Sequence, residues 1–130
     1  MDNVNSRKKI VERRKHKRFK VQDGTFAVLT PHFYNWGQII DISKGGLAFR
    51  YTGNELPPNV SSNLGISLAN IGFYLGRVPF KAISDFEIDN EVAYSFTTTR
   101  RCGVEFGELT LNQISQLEYF MGNHSIGEVH

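Results

Sequence analysis

Between Phe19 and Phe106 the chain is a succession of short extended stretches separated by turn residues, and this pattern restricts its fold more than any other feature. Phe19 and Val21 alternate with Lys20 and Gln22, and Asp23-Gly24 is a turn signal. Residues 25–30 read as a second strand that Pro31 ends or marks as an edge. Residues 36–42 read as a third, opened by Trp36 and with Gly37 as a candidate bulge. Ser43-Lys44-Gly45-Gly46 reads as a tight turn, after which Leu47, Phe49 and Tyr51 share one face of a strand. Residues 52–62, rich in Asn, Pro and Ser, read as a loop. Residues 64–68 alternate again, and residues 71–83 read as one long strand or two, interrupted at Gly76 and Pro79. An acidic turn over 85–91 precedes a last hairpin pair, 92–98 and 102–106.

The period then changes. Thr110 followed by Gln113 is a capping box, and Leu111, Ile114, Leu117, Tyr119, Phe120 and Met121 supply a helical apolar face. Gly122-Asn123 supplies the stop. Short strands with frequent turns favour closure, because a closed barrel has no exposed edges. The expected fold is mainly β: a small six- or seven-stranded antiparallel β-barrel with a C-terminal α-helix and a flexible basic N-terminal arm. The boundaries read as 1–18 for the arm, 19–123 for barrel and helix, and 124–130 for a frayed tail.

Composition narrows the function classes. A chain of 130 residues with 40% hydrophobic and 22% charged residues suits one globular domain. Its formal net charge is only +2, but nine Lys or Arg and one Glu lie between Arg7 and Lys20, so the remainder is net acidic. A near-neutral body with a basic arm calls for a local anionic partner rather than a long nucleic acid. No stretch of about 18 apolar residues predicts a membrane span and the N-terminus lacks a signal-peptide core, so the expected location is cytoplasmic.

Catalytic signals are missing. The single cysteine, Cys102, reads as a small buried hydrophobe without a histidine partner. His16, His32, His124 and His130 are scattered without metal-ligand spacing and read as surface residues. Asp85, Glu87, Asp89 and Glu91 lack the register of a calcium loop. No phosphate-binding glycine loop follows Gly45-Gly46. The chain therefore reads as a non-enzyme without cofactor or metal. Trp36 reads as barrel wall before ligand stack.

Two local patterns remain. Arg14-Lys15-His16-Lys17-Arg18 is an R-x-x-x-R segment just before the first strand, and Asp41-Ile42-Ser43-Lys44-Gly45-Gly46 is a D-x-S-x-x-G turn. Each has a plain structural reading, as a solvated basic run and as an ordinary turn. In this order, 23 positions apart and ahead of a β-rich domain, they resemble the PilZ domain family. Gly103-Val104-Glu105-Phe106 is similar to that family's last barrel strand, and the resemblance covers roughly residues 12–121.

The resemblance implies a receptor for the bacterial second messenger cyclic di-GMP, bound as one molecule or as a stacked pair. It implies Arg14, Arg18, Asp41, Ser43 and Gly46 as ligand-binding residues, with Arg13 as a further contact outside the motif. The chemistry fits each of them. A guanidinium forks onto guanine O6 and N7 or onto phosphate oxygens. A carboxylate accepts from guanine N1–H and N2–H₂, a serine hydroxyl adds one hydrogen bond, and a glycine admits a close approach of ligand or backbone. Lys17 and His16 carry no assigned role. The arm is expected to order over the ligand, and the receptor to act on an effector protein in trans, in processes such as motility or biofilm formation. Two other readings compete: a PilZ-fold protein-interaction module without nucleotide binding, and a small barrel that binds single-stranded nucleic acid.

Overall fold

The computed structural model describes residues 16–30, 36–52, 63–88 and 98–129. Among these residues eight strands and one α-helix follow in chain order, with a 3-10 turn at Ala69–Ile71 between the fifth and sixth strands: β1 Arg18–Val21, β2 Thr25–Thr30, β3 Trp36–Ile42, β4 Gly46–Thr52, β5 Asn63–Leu68, β6 Phe73–Glu87, β7 Thr99–Phe106, α1 Leu111–His124 and β8 Ser125–Val129. All pairings are antiparallel. The strand order β2-β5-β6-β7-β4-β3 is closed by a further β2–β3 pairing. The result is a closed six-stranded antiparallel barrel, as the turn-rich strand pattern predicts. β1 leaves this wall from β3 and carries β8 on its other edge.

The interior follows the alternation of the sequence. Leu47, Phe49 and Tyr51 of β4 are buried, as are Cys102 and Val104 of β7 and Leu64, Ile66 and Leu68 of β5. Cys102 occupies a wholly buried position, as its reading as a small hydrophobe predicts. The helix joins the same core through Leu117, Phe120 and Met121. The Phe120 ring lies 4.9 Å from that of Phe73, at the start of β6. Each fully buried side chain of this size contributes on the order of 1.5–3 kcal/mol through removal of apolar surface from water.

Helix and barrel are also joined by polar contacts. Thr110 accepts from the Gln113 N–H while Gln113 Oε1 accepts from the Thr110 N–H, so the expected capping box forms. The Gln113 Nε2 then donates to the carbonyls of Gly76 and Arg77, at 3.2 and 3.0 Å. Those carbonyls sit at a bulge, where β5 advances from Leu64 to Ile66 while β6 runs from Val78 back to Leu75. Arg77 is in the left-handed region there, at φ 57°. The interruption expected at Gly76 is thus a bulge within one long strand.

Six expectations need correction. The tail expected to fray over 124–130 is ordered up to Val129, because α1 runs on through His124 and Ser125–Val129 pairs with β1; residue 130 lies outside the described residues. Gly122 does not stop the helix: the Asn123 side chain donates to the Tyr119 carbonyl, one helical turn back. Gly37 is no bulge but a regular partner of Ala27, and an added Cβ there would collide with the Arg50 carbonyl. The bulge lies at Ile40 instead. Asp85 and Glu87 are not in a turn but extend β6, and the Asp85 side chain is largely shielded from solvent. The partners of β7 are β4 and β6 rather than residues 92–98, most of which fall outside the described residues. Arg18, placed in the arm by its charge, is the first residue of β1.

Candidate ligand-binding site

The Ile40 bulge determines where Asp41 points. Ile39 and Ile42 are three residues apart, so a regular strand would send them to opposite faces. One extra residue lets both enter the core, 3% and 0% exposed, and turns Asp41 to the outside of the barrel. There Asp41 belongs to a row of cross-strand partners: Lys20 on β1, Asp41 on β3, Ala48 on β4, Gly103 on β7 and Ser84 on β6. Ala48 and Gly103 give this row a small-residue floor.

A cavity of about 910 Å³ lies over that floor. Its volume falls in the range of small-molecule sites. Asp41 lies deep in it, only 4% exposed. The Arg101 Nη2 donates to Asp41 Oδ2 at 3.4 Å. Arg18, at the start of β1, and His16 are also among its lining residues. Ile83 and Phe86 of β6 form an apolar wall, 60% and 50% exposed. A further bulge makes Ile83 the extra residue, and the Ser84 hydroxyl repairs the ladder by accepting from the Gly103 N–H at 3.2 Å.

The 43–46 turn forms the end of the cavity. The Ser43 N–H donates to the Gly46 carbonyl at 2.8 Å. Ser43 Oγ accepts from the Gly45 N–H at 3.2 Å and donates to the same Gly46 carbonyl at 3.3 Å. The hydroxyl therefore holds the turn and keeps one acceptor position spare. A Cβ on Gly46 would collide with the Val104 carbonyl oxygen, so this glycine serves the close approach of β4 and β7. A Cβ on Gly45 would sit 2.8 Å from the His16 ring, which packs against the turn. Lys44 reaches Glu118 of α1 at 3.6 Å, an exposed pair of small energetic weight.

Of the residues singled out by sequence, Arg18, Asp41, Ser43 and Gly46 all line this one cavity. Arg13 and Arg14 lie outside the described residues. Sequence reasoning missed Arg101, Phe86 and the Ala48–Gly103 floor. The signal for Arg101 was present: with Cys102 and Val104 inward, alternation sends Arg101 and Gly103 outward together. The signal for Asp41 facing out beside them was absent, since it depends on the bulge.

Among the described residues no group of three or more His, Cys, Asp or Glu could hold a metal ion, and no helix is long and apolar enough to cross a membrane. The described residues thus form a closed six-stranded barrel with one helix packed against it and a cavity on its outer wall lined by both charged and apolar side chains. The family model for the PilZ domain matches residues 12–122, and the chain belongs to the PilZ domain family. No curated protein matches the chain.

Solved structures are similar to it in fold. The PilZ domain with c-di-GMP of YcgR from Escherichia coli is 18% identical, with a TM-score of 0.65 over 87% of this chain and 92% of that one. The K. pneumonia MrkH–c-di-GMP complex is 16% identical, with a TM-score of 0.67 over 86% of this chain and 52% of that one. K. pneumonia MrkH in its apo state is 15% identical, with a TM-score of 0.63 over 82% of this chain and 49% of that one. The chain spans about half the length of MrkH.

Proposed function

We propose that this chain is a non-catalytic receptor domain for cyclic di-GMP. The observation that carries the reading is the cavity on the outer wall, where a deep carboxylate, Asp41, lies beside the small-residue floor of Ala48 and Gly103, with Arg18 among the lining residues. Family membership supports it, as do fold relatives whose names record c-di-GMP.

The parts match the ligand. A guanine has two flat faces, a donor edge at N1 and N2, and an acceptor edge at O6 and N7. In our reading the floor and the Phe86 wall take a face, Asp41 takes the donor edge, and Arg14 and Arg18 fork onto the acceptor edge or the phosphodiesters. Arg13 adds a cation to the same segment. Ser43 lends its spare acceptor position and keeps the turn, with Gly46, in shape. Binding draws the residues before Arg18 over the ligand, and the altered surface is what an effector protein in trans reads.

A calorimetric titration with cyclic di-GMP, with cyclic di-AMP and GTP as controls, tests this. Saturable heat from cyclic di-GMP alone, at a stoichiometry near one or two, is expected. No heat at high protein concentration would leave a protein-interaction module as the better reading. Asp41→Ala is expected to weaken binding by roughly tenfold to a hundredfold, the worth of a charge-assisted hydrogen bond, while the fold survives. Unchanged affinity in that variant would remove the guanine contact from the reading.

A further inference from the structure

The structure carries a third guanidinium at the cavity, on an element that neither motif segment includes. Arg101 lies on β7 between Arg50 of β4 and Phe86 of β6, its cross-strand partners. Its side chain is about a third exposed. Among the described residues its one side-chain hydrogen bond is the 3.4 Å contact to Asp41 Oδ2. Charge-assisted N–H···O pairs close to about 2.7–2.9 Å, so this contact is loose. A guanidinium has five N–H donors, so most of the fork is unspent.

On the side towards β1 and β4 the surroundings are short of negative charge. A second cavity, of about 510 Å³, adjoins the first, and Arg18, Asp41 and Arg101 line both. Its charged lining is Arg18, Lys20, Arg50 and Arg101 against Asp23 and Asp41. Four cations facing two carboxylates repel one another until an anion arrives. The carboxylate that would read the base is thus directly bordered by a site for the negative part of the same ligand.

We infer that Arg101 binds the phosphodiester of the nucleotide with its free N–H groups while its contact to Asp41 steadies that carboxylate for the guanine. The inference rests on the cyclic di-GMP reading and deepens it. It assigns specificity to one residue pair, since a ligand must offer a guanine edge to Asp41 and an anion to Arg101 at adjacent points.

The test is titration of cyclic di-GMP into the wild-type chain, Arg101→Gln, Arg101→Lys, Asp41→Ala and the Asp41→Ala/Arg101→Gln double variant, each at low and high salt. Thermal unfolding of each variant reports its folding. Arg101→Gln is expected to lose roughly tenfold to a hundredfold in affinity and to show a weaker salt dependence. Arg101→Lys keeps a point charge without the fork and is expected to fall between. The loss from Arg101→Gln persists in the Asp41→Ala background if Arg101 touches the phosphate. Should the loss vanish there, Arg101 would only steady Asp41 and the ligand contact is overturned. Wild-type-like affinity in Arg101→Gln, or in Arg101→Lys if the glutamine variant does not fold, also overturns it. Absence of binding by the wild-type chain would instead remove the cyclic di-GMP reading, and this inference with it.

Discussion

Tyr51, Asp85 and Arg100 form a hydrogen-bonded group across β4, β6 and β7. The Tyr51 hydroxyl donates across both Asp85 carboxylate oxygens at 2.8 and 2.6 Å, and Arg100 Nε donates to Oδ1 at 2.9 Å. The side chains of Arg100 and Asp85 are each only 11% exposed. Their charges are matched, and Arg100 Nη1 also lies 3.8 Å from the exposed Glu87 carboxylate, so loss of Asp85 leaves the Tyr51 hydroxyl without its acceptor and Arg100 with only that looser ion pair among the described residues. Asp85→Ala is expected to destabilise the fold, read as a lower urea midpoint at constant slope. A change under about 0.5 kcal/mol would show that the group is not structurally important. In sequence Asp85 looks like one member of an acidic run. Its separate role appears only once Tyr51, 34 positions earlier, lies next to it.

At the scale of elements, β1 depends on β8. β1 meets β3 at two positions, Phe19–Ile42 and Lys20–Asp41, whereas β8 pairs with all four of its residues. Arg18 sits opposite Val129, so the last strand helps set the position of a candidate ligand-binding arginine. Deleting residues 125–130 is expected to lower the thermal midpoint by several degrees, as loss of about 1 kcal/mol does in a domain this small. It is also expected to weaken cyclic di-GMP binding. Full affinity in the truncated chain would show that β3 alone suffices to hold Arg18. The capping box made α1 legible in sequence. β8 was not, because only Ile126 and Val129 are apolar and Ile126 is 63% exposed; its partner strand, not its own pattern, makes it a strand.

For the whole molecule, barrel closure sets the response to alkali. Burial, reinforced by Asp85, pushes the Cys102 thiol from its ordinary 9.0 up to about 12. Burial and the hydrogen bond to Asp85 raise the Tyr51 hydroxyl well above its ordinary 10.0. Both groups keep their protons in the folded barrel at pH values where the unfolded chain loses them. The stability these two groups contribute is therefore fully present below pH 9.0 and is lost as pH rises, from about 9.0 for Cys102 and from about 10.0 for Tyr51. Denaturant midpoints between pH 8 and 11 check the sign; a flat profile would mean that neither group is shielded. In the same window Cys102 is expected to resist alkylation until the chain unfolds.

The sequence by itself determined the periods: two-residue alternation up to Phe106, a capped helix after Thr110, and the turn at 43–46. These are local, set by side-chain spacing and turn chemistry, and they led to a closed barrel with a terminal helix. It also singled out Arg18, Asp41, Ser43 and Gly46, because their spacing repeats a family pattern. Tertiary structure alone decided which wall carries the cavity and which neighbours complete it. Bulges at Ile40, Gly76–Arg77 and Ile83 shift the faces of residues without any change in composition. Asp41 and Arg101, 60 positions apart, meet only because β3, β4 and β7 lie side by side. A strand's pairing partner is not written in its own residues, and both the cavity and β8 depend on pairing.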